Sequence, residues 1–216
     1  MSFEKKEKDH SLDSVIQEKT EELVGLIRQK HGLPLVPERQ SKSNEVADKL
    51  YQELREIGKG GTEQDKIEWG KRKNQADFLD MSFVDLSNLD LSHLDLSGIY
   101  FAGANFENTN LEWTNLSGCK CILANFQNAN LHLVDMAGIF AVQANFSHAR
   151  FTGTRARQGV FMYADFSGAV IEQADFKSGV FWKAKFDDAT IEESSFDGSE
   201  FHEEALKKAK LKNVTT

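Results

Sequence analysis

Residues 101–131 read FAGANFENTNLEWTNLSGCKCILANFQNANL. Every fifth position in this stretch is large and apolar: Phe101, Phe106, Leu111, Leu116, Cys121, Phe126, Leu131. A period of five fits neither the 3.6 of a helix nor the 2 of a strand, so both amphipathic templates fail. The period holds outward in both directions. Leu86, Leu91 and Leu96 precede the stretch, and Met136, Phe146, Phe151, Phe161 and Phe166 follow it. From Leu86 to Phe201 there are 24 consecutive registers, and only Ala141 and Ala156 underfill the large slot. Two positions before the large residue sits a small one, as at Ala104, Ala124 and Ala144, with an Asp or Asn commonly between them. A fixed period sustained this long means units that bury their apolar faces only by stacking on their neighbours.

The A-[DN]-[LF]-x-x pattern resembles the pentapeptide-repeat family over more than half of the chain. The resemblance implies a mainly β fold, a right-handed quadrilateral β-helix of about six coils with roughly 20 residues per turn. In that family the large residue and the small one two before it point inward. Coils about 4.8 Å apart would give a rod roughly 30 Å tall.

The flanks predict helices. Ser11 can cap a helix carrying Leu12, Val15, Ile16, Leu23, Leu26 and Ile27, with Gly32 as its stop and Pro34 and Pro37 in a linker. A second helix runs from about Asn44, with Val46, Leu50, Tyr51, Leu54 and Ile57 on one side, and stops at Gly58-Lys59-Gly60-Gly61. Thr62 with Asp65 reads as a variant capping box opening a short helix with Ile67 and Trp69. Ala205, Leu206 and Ala209 at helical spacing predict a helix that caps the last coil. The expected organisation is therefore a helical segment over 1–75, of two amphipathic helices plus a short capping helix, then a β-helix over 76–203 and a C-terminal capping helix or tail over 204–216. Ala76-Asp77-Phe78 and Leu79-Asp80-Met81 compete as the opening repeat.

Charge is unevenly spread. Residues 1–75 balance, residues 76–201 carry a net −10 and the last fifteen a net +2. An acidic rod argues against direct nucleic-acid binding, because phosphate neutralisation needs a basic footprint. No run approaches the ~18 apolar residues of a membrane span, and the start lacks the apolar core of a secretory signal. Two cysteines, Cys119 and Cys121, are too few for a disulfide framework. A cytoplasmic setting is expected, with a secreted effector as the alternative.

A twenty-residue turn sorts the outward positions by face. Around Phe101, Cys121, Ala141, Phe161 and Phe181 the flanking residues are Tyr100, Ile122, Phe140, Val142, Val160, Met162, Val180 and Trp182, broken mainly by Lys120. The next face carries Asn105, Asn125, Asn145 and Asp165 at the same place. An apolar stripe of this length calls for a cover. The N-terminal helices, a homodimer seam or a partner's docking site would each supply one. A charged partner surface is the other candidate. Asp85, Asp90 and Asp95 start the rod, while Arg155 and Arg157 lie in its later half.

No catalytic, cofactor or metal site emerges. Cys119 and Cys121 both point inward, the six histidines are scattered, and Gly58-Lys59-Gly60-Gly61-Thr62 lacks the spacing of a phosphate loop. A rod filled with Phe and Leu leaves no internal cleft. The expected function is a non-enzymatic protein–protein interaction scaffold, with an effector or regulatory role in bacteria. The alternative, implied by the family resemblance, is a DNA mimic that protects DNA gyrase. The net −10 rod favours that alternative, whereas the helical front segment and the basic residues of the later coils do not.

Overall fold

The computed structural model describes residues 45–75, 79–202 and 204–216. The first expected helix, over 11–32, its proline linker and Ala76-Asp77-Phe78 lie outside the described residues. From Leu79 onward the backbone is a four-sided coil whose strands pair in parallel with a twenty-residue register. On one side the pairing runs Asp80↔Tyr100↔Lys120↔Phe140↔Val160↔Val180. Leu79-Asp80-Met81 is thus in register as the first described repeat, with Met81 fully buried.

In the later coils the bridges lengthen into strands. They are β1 (Arg150–Thr152), β2 (Val170–Glu172), β3 (Val180–Phe181), β4 (Thr190–Glu192), β5 (Glu200–Phe201) and β6 (Lys210–Lys212). β1, β2, β4 and β6 form one parallel sheet in that order, and β3 pairs with β5.

Each corner is a tight turn with an assigned role for every residue. Its third residue sits in the left-handed region, as at Asn88 (φ 60°), Asn108 (57°) and Asn128 (57°). Asn and Gly tolerate that region best. The Asp or Asn before the large residue accepts the backbone N–H two positions on, as Asp80 does from Ser82 (2.9 Å) and Asn145 from Ser147 (3.0 Å). This local bond sets the turn and explains the acid-or-amide slot of the repeat.

Inside, the rings stack coil upon coil. Phe106, Phe126, Phe146, Phe166 and Phe186 lie nearly parallel, with centroids 4.6–5.1 Å apart. Each fully buried Phe contributes about 1.5–3 kcal/mol. The underfilled slot at Ala141 is offset within its own repeat, since Ile139 occupies the usual small position and both are fully buried. The inverse occurs at Gly159, where an added Cβ would stand 2.3 Å from the Phe161 ring. Ala156, also fully buried, keeps the coil in register, with Arg155 bridging Asp135 and Asp175. Where Thr fills the small slot, its hydroxyl donates to the coil below. Thr109 reaches Leu86 O (2.8 Å) and Thr154 reaches Leu131 O (2.7 Å), so the buried groups are satisfied.

Two helices precede the coil, α1 (Glu45–Gly58) and α2 (Glu63–Lys73). The Thr62–Asp65 capping box is formed as expected, and the glycine loop before it is a helix stop. Leu50, Tyr51, Leu54, Ile57 and Trp69 are buried, whereas Val46 and Ile67 are exposed. Both helices close the open end of the first coil. Tyr51 donates to Asp85 O (3.1 Å), Asp90 N–H donates to Gly58 O (2.9 Å), and Lys66 donates to Ser92 (3.2 Å). Lys73 reaches Asp95 (3.2 Å) and Ser97 (3.0 Å). A side chain on Gly58 would meet Leu89 Cβ at 2.9 Å, so the glycine is set by close packing. α1 and α2 are anchored on the first coil, through Asp85, Ser92, Asp95 and Ser97. Their polar anchors reach the edge of the first coil, where unpaired strand groups need partners most.

The tail also departs from expectation. Residues 204–216 form turns followed by β6, and Thr215 pairs with Ser195. The period of five simply continues. Leu206 and Leu211 fall in the large slot, and Ala209 and Val214 in the small one, with pairing to the coil below from Lys210 onward.

Candidate functional site

On the apolar side face, Tyr100, Phe140, Val160, Met162, Val180 and Trp182 are half-buried. Ile122 and Val142 are only 5 % and 4 % exposed, although their counterparts on the amide face, Gln127 and Ser147, are half-buried. Ile122 and Val142 thus make a floor, with the other six around it. Cations lie on its aromatic rings. Lys120 Nζ stands 5.7 Å from the Phe140 centroid and Lys183 Nζ 5.8 Å from that of Tyr163. Trp182 meets His202 edge to face at 5.6 Å.

The neighbouring face is an amide ladder. Asn145 donates to Asn125 (3.0 Å), Asn125 to Asn105 (3.1 Å), and Asn105 to Asp85 (3.1 Å). A second ladder runs Asn130 to Asn110 to Asp90, each step 2.9 Å. In both of these ladders each amide donates toward the first coil, so the lowest member needs only acceptors. A carboxylate meets that need. Partial burial pushes the Asp85 and Asp90 carboxyls up, but hydrogen bonds from Ser87 and Ser92, helped by Asn105 and Asn110, outweigh it and hold both below the ordinary range. Asp95 behaves alike, with Ser97 and Lys73 as its donors.

The charged candidates are therefore placed in internal bonding. Asp85, Asp90 and Asp95 end ladders or anchor the cap. Arg155 pairs with Asp135 at 3.7 Å, Arg157 pairs with Asp175, and Lys177 pairs with Asp197 at 3.3 Å. On this side acids and bases alternate and compensate one another.

Cys119 and Cys121 are fully buried, and Cys119 Sγ donates to Leu96 O (3.1 Å). Burial, with Cys119 beside it, pushes the Cys121 thiol well up, which disfavours the thiolate that reactivity needs. His132 Nδ1 lies 3.0 Å from Thr152 O, while His93 stacks on Trp113 at 6.5 Å, so the two rings serve different columns. Among the described residues no group of His, Cys, Asp or Glu is arranged to hold a metal ion, and no helix is long and apolar enough to cross a membrane.

Sequence reasoning missed two features. Trp113, in the left-handed corner position (φ 58°), is 54 % exposed; a tryptophan at the last place of its five marks it. The second is the lysine-flanked strand β6, hidden by the helical reading of the tail.

Among curated proteins, none matches this sequence. Solved structures of repeat rods do. A pentapeptide-repeat protein from the thylakoid lumen of Arabidopsis thaliana is 25 % identical over 46 % of this chain and 66 % of its own, with a TM-score of 0.41. QnrB1, a plasmid-mediated fluoroquinolone resistance protein, is 22 % identical over 64 % of this chain and 82 % of its own, at 0.48. HetL, from the cyanobacterium Nostoc sp. strain PCC 7120 and involved in heterocyst differentiation regulation, is 18 % identical over 60 % and 67 %, at 0.34. The family described as pentapeptide repeats matches in eight copies across residues 80–118, 105–140, 119–161, 142–177 and 164–202. With the five-residue slots, the twenty-residue parallel register and this match over more than half of its length, the chain belongs to the pentapeptide-repeat family and has its right-handed β-helix fold.

Proposed function

We propose that the chain is a non-catalytic protein-interaction module and that its partner-facing surface is the apolar side face. The observation that carries this reading is the run of apolar side chains along one column beside amide and charged ones. The amide face satisfies itself through its ladders and the charged side through its ion pairs. Tyr100, Phe140, Val160, Met162, Val180 and Trp182 surround an apolar floor. Tyr100, Phe140, Met162 and Trp182 are of the types enriched in interface cores, and Trp and Tyr are enriched in hot spots. A packed rod also keeps such a surface rigid, so little ordering entropy is lost on association.

The test is site-specific photocrosslinking in the full chain. A benzoylphenylalanine at Val160 is expected to give adducts of defined mass, either a second copy or a single partner. The same group at Asn128 on the amide face should give few. Equal yields at both positions would overturn the assignment.

A second reading, a DNA mimic that shields gyrase, is supported by the net −10 of residues 76–201. Gyrase supercoiling with and without the protein, in the presence of a quinolone, tests it. Protection would favour this reading, and its absence at saturating protein would remove it.

A further inference from the structure

The last described coil carries a chemistry that the body of the rod lacks. β6 is the outer strand of its sheet, pairing with β4 in the register Thr190↔Lys210, Ile191↔Leu211, Glu192↔Lys212. Along the lower coils the N–H of the large residue donates to the coil above, as Leu91 does to Asn110 O (2.8 Å) and Leu131 to Arg150 O (2.8 Å). The corner residue two places on does the same, as Leu133 does to Thr152 O (2.8 Å). The small residue's carbonyl accepts from above, as Ala189 O does from Lys210 N–H (2.8 Å). By that register the N–H groups of Leu211 and Asn213 and the carbonyl of Ala209 form the outer edge of β6. Leu211 is 47 % exposed although its column, Phe151, Ile171 and Ile191 below it, is fully buried. Lys210 and Lys212 flank it in the strand, and Lys207 and Lys208 precede it in the chain.

The rung beneath shows what fits such an edge. In Thr190-Ile191-Glu192 the isoleucine stacks under Leu211, and Glu192 holds Lys212 at 3.0 Å. A strand laid on the outer side meets the same demands: an apolar residue over Leu211, acids beside Lys210 and Lys212, and backbone groups for the open ladder. We propose that the outer edge of β6 binds an extended acidic segment of a partner protein by strand addition, with an apolar residue flanked by acids as its recognition core. The charge distribution favours this end of the rod for such a ligand. Residues 76–201 carry a net −10 and repel it, whereas the last fifteen carry a net +2. A second copy of this chain fits less well, because two β6 edges brought together oppose lysine with lysine.

The proposal is independent of the side-face reading, and its test touches none of the six side-face residues. The probe is a fluorescein-labelled heptapeptide with a central isoleucine between glutamates, titrated with the full chain and followed by anisotropy. Saturable binding is expected. It should weaken about tenfold or more in the K210E/K212E double variant, and fall as salt rises. Replacing the central isoleucine by glutamate should weaken it, and a peptide N-methylated at alternate residues, which cannot complete the ladder, should not bind. Because the last two arms leave the protein unaltered, they hold even where K210E/K212E is perturbed. Equal binding of the N-methylated peptide, indifference to charge reversal at 210 and 212, or no binding up to about 1 mM would each overturn the proposal. A doubling of molar mass that K210E/K212E alone abolishes would also overturn it, by making a second copy the occupant.

Discussion

The side-chain amide of Asn125 donates to Oδ1 of Asn105 at 3.1 Å, while its own oxygen receives the Asn145 amide at 3.0 Å and the Gln127 N–H at 3.1 Å. One residue thus ties three coils together. Asn125→Asp keeps the acceptor and loses the donor, setting a carboxylate against the Asn105 oxygen and near Glu107, whose Oε2 now lies 3.4 Å from the Asn125 amide. A loss of about 1–2 kcal/mol is expected. Urea midpoints should show it, with the deficit shrinking at acid pH as the new carboxyl takes a proton. A deficit that does not change with pH would contradict the ladder.

Gly159→Ala restores the commoner small residue of the repeat, yet here it should destabilise. Its Cβ would meet the Phe161 ring at 2.3 Å, and overpacking of this kind costs about 1–3 kcal/mol. Thermal melts of this variant and of G159A/F161L, which removes the distal ring atoms, should show the double variant recovering part of the loss. No recovery would assign the glycine to backbone demands instead.

Trp69 is fully buried and donates through Nε1 to Leu50 O at 2.9 Å, pinning α2 on α1. Trp69→Ala should cost about 3–5 kcal/mol. Hydrogen exchange should then accelerate first in residues 45–75 and the first coil, with the Phe column above retaining protection. Uniform acceleration throughout would show that cap and rod unfold as one.

Asp85, Asp90 and Asp95 have lowered folded values, so the sign of their contribution is fixed. It is fully present above the ordinary aspartate value of 3.8 and is lost as pH falls through the lowered folded values. Stability should therefore drop on acidification below that value. In Asp95→Asn, which retains an acceptor for the Ser97 N–H but loses the Lys73 ion pair, the drop should be shallower. An unchanged slope would remove Asp95 from the account.

Cys119 and Cys121 should resist iodoacetamide in the native rod at neutral pH and react at once in denaturant, since burial raises the Cys121 thiol and closes access. Mass spectrometry reads the outcome; rapid native labelling of either thiol would show that the coil opens locally.

The rod was legible in the sequence because its signal is redundant. Leu86 to Phe201 repeat one steric demand in every coil, and the chemistry of each face follows from counting by twenty. The Thr62–Asp65 capping box was legible for the same kind of reason, being a short-range bond between near neighbours. What escaped depends on which element competes for a segment. Leu206 and Ala209 satisfy both a helical spacing and the period of five, and only the local turns at 204–209 and the pairing of Lys210–Lys212 with the coil below choose between them. The contacts that seat the short helix escaped too, since Lys66 and Lys73 reach across to Ser92, Asp95 and Ser97. The amide face was recognised as polar, but the direction of its ladder, and hence the reason for aspartate at its lower end, needs coordinates.

The twenty-residue register sets the unit in which such a chain can change length over evolution. Removing residues 106–125 would join Asn105 to Phe126 and leave every column on its own side, one storey shorter. Removing only residues 106–110 would turn everything above by a quarter revolution, carrying the amide column onto the apolar side and breaking each ladder at the joint. Duplication and loss should thus be tolerated in whole storeys and punished in fractions of one. Soluble expression of the two deletions side by side would read that directly, and equal yields would refute it.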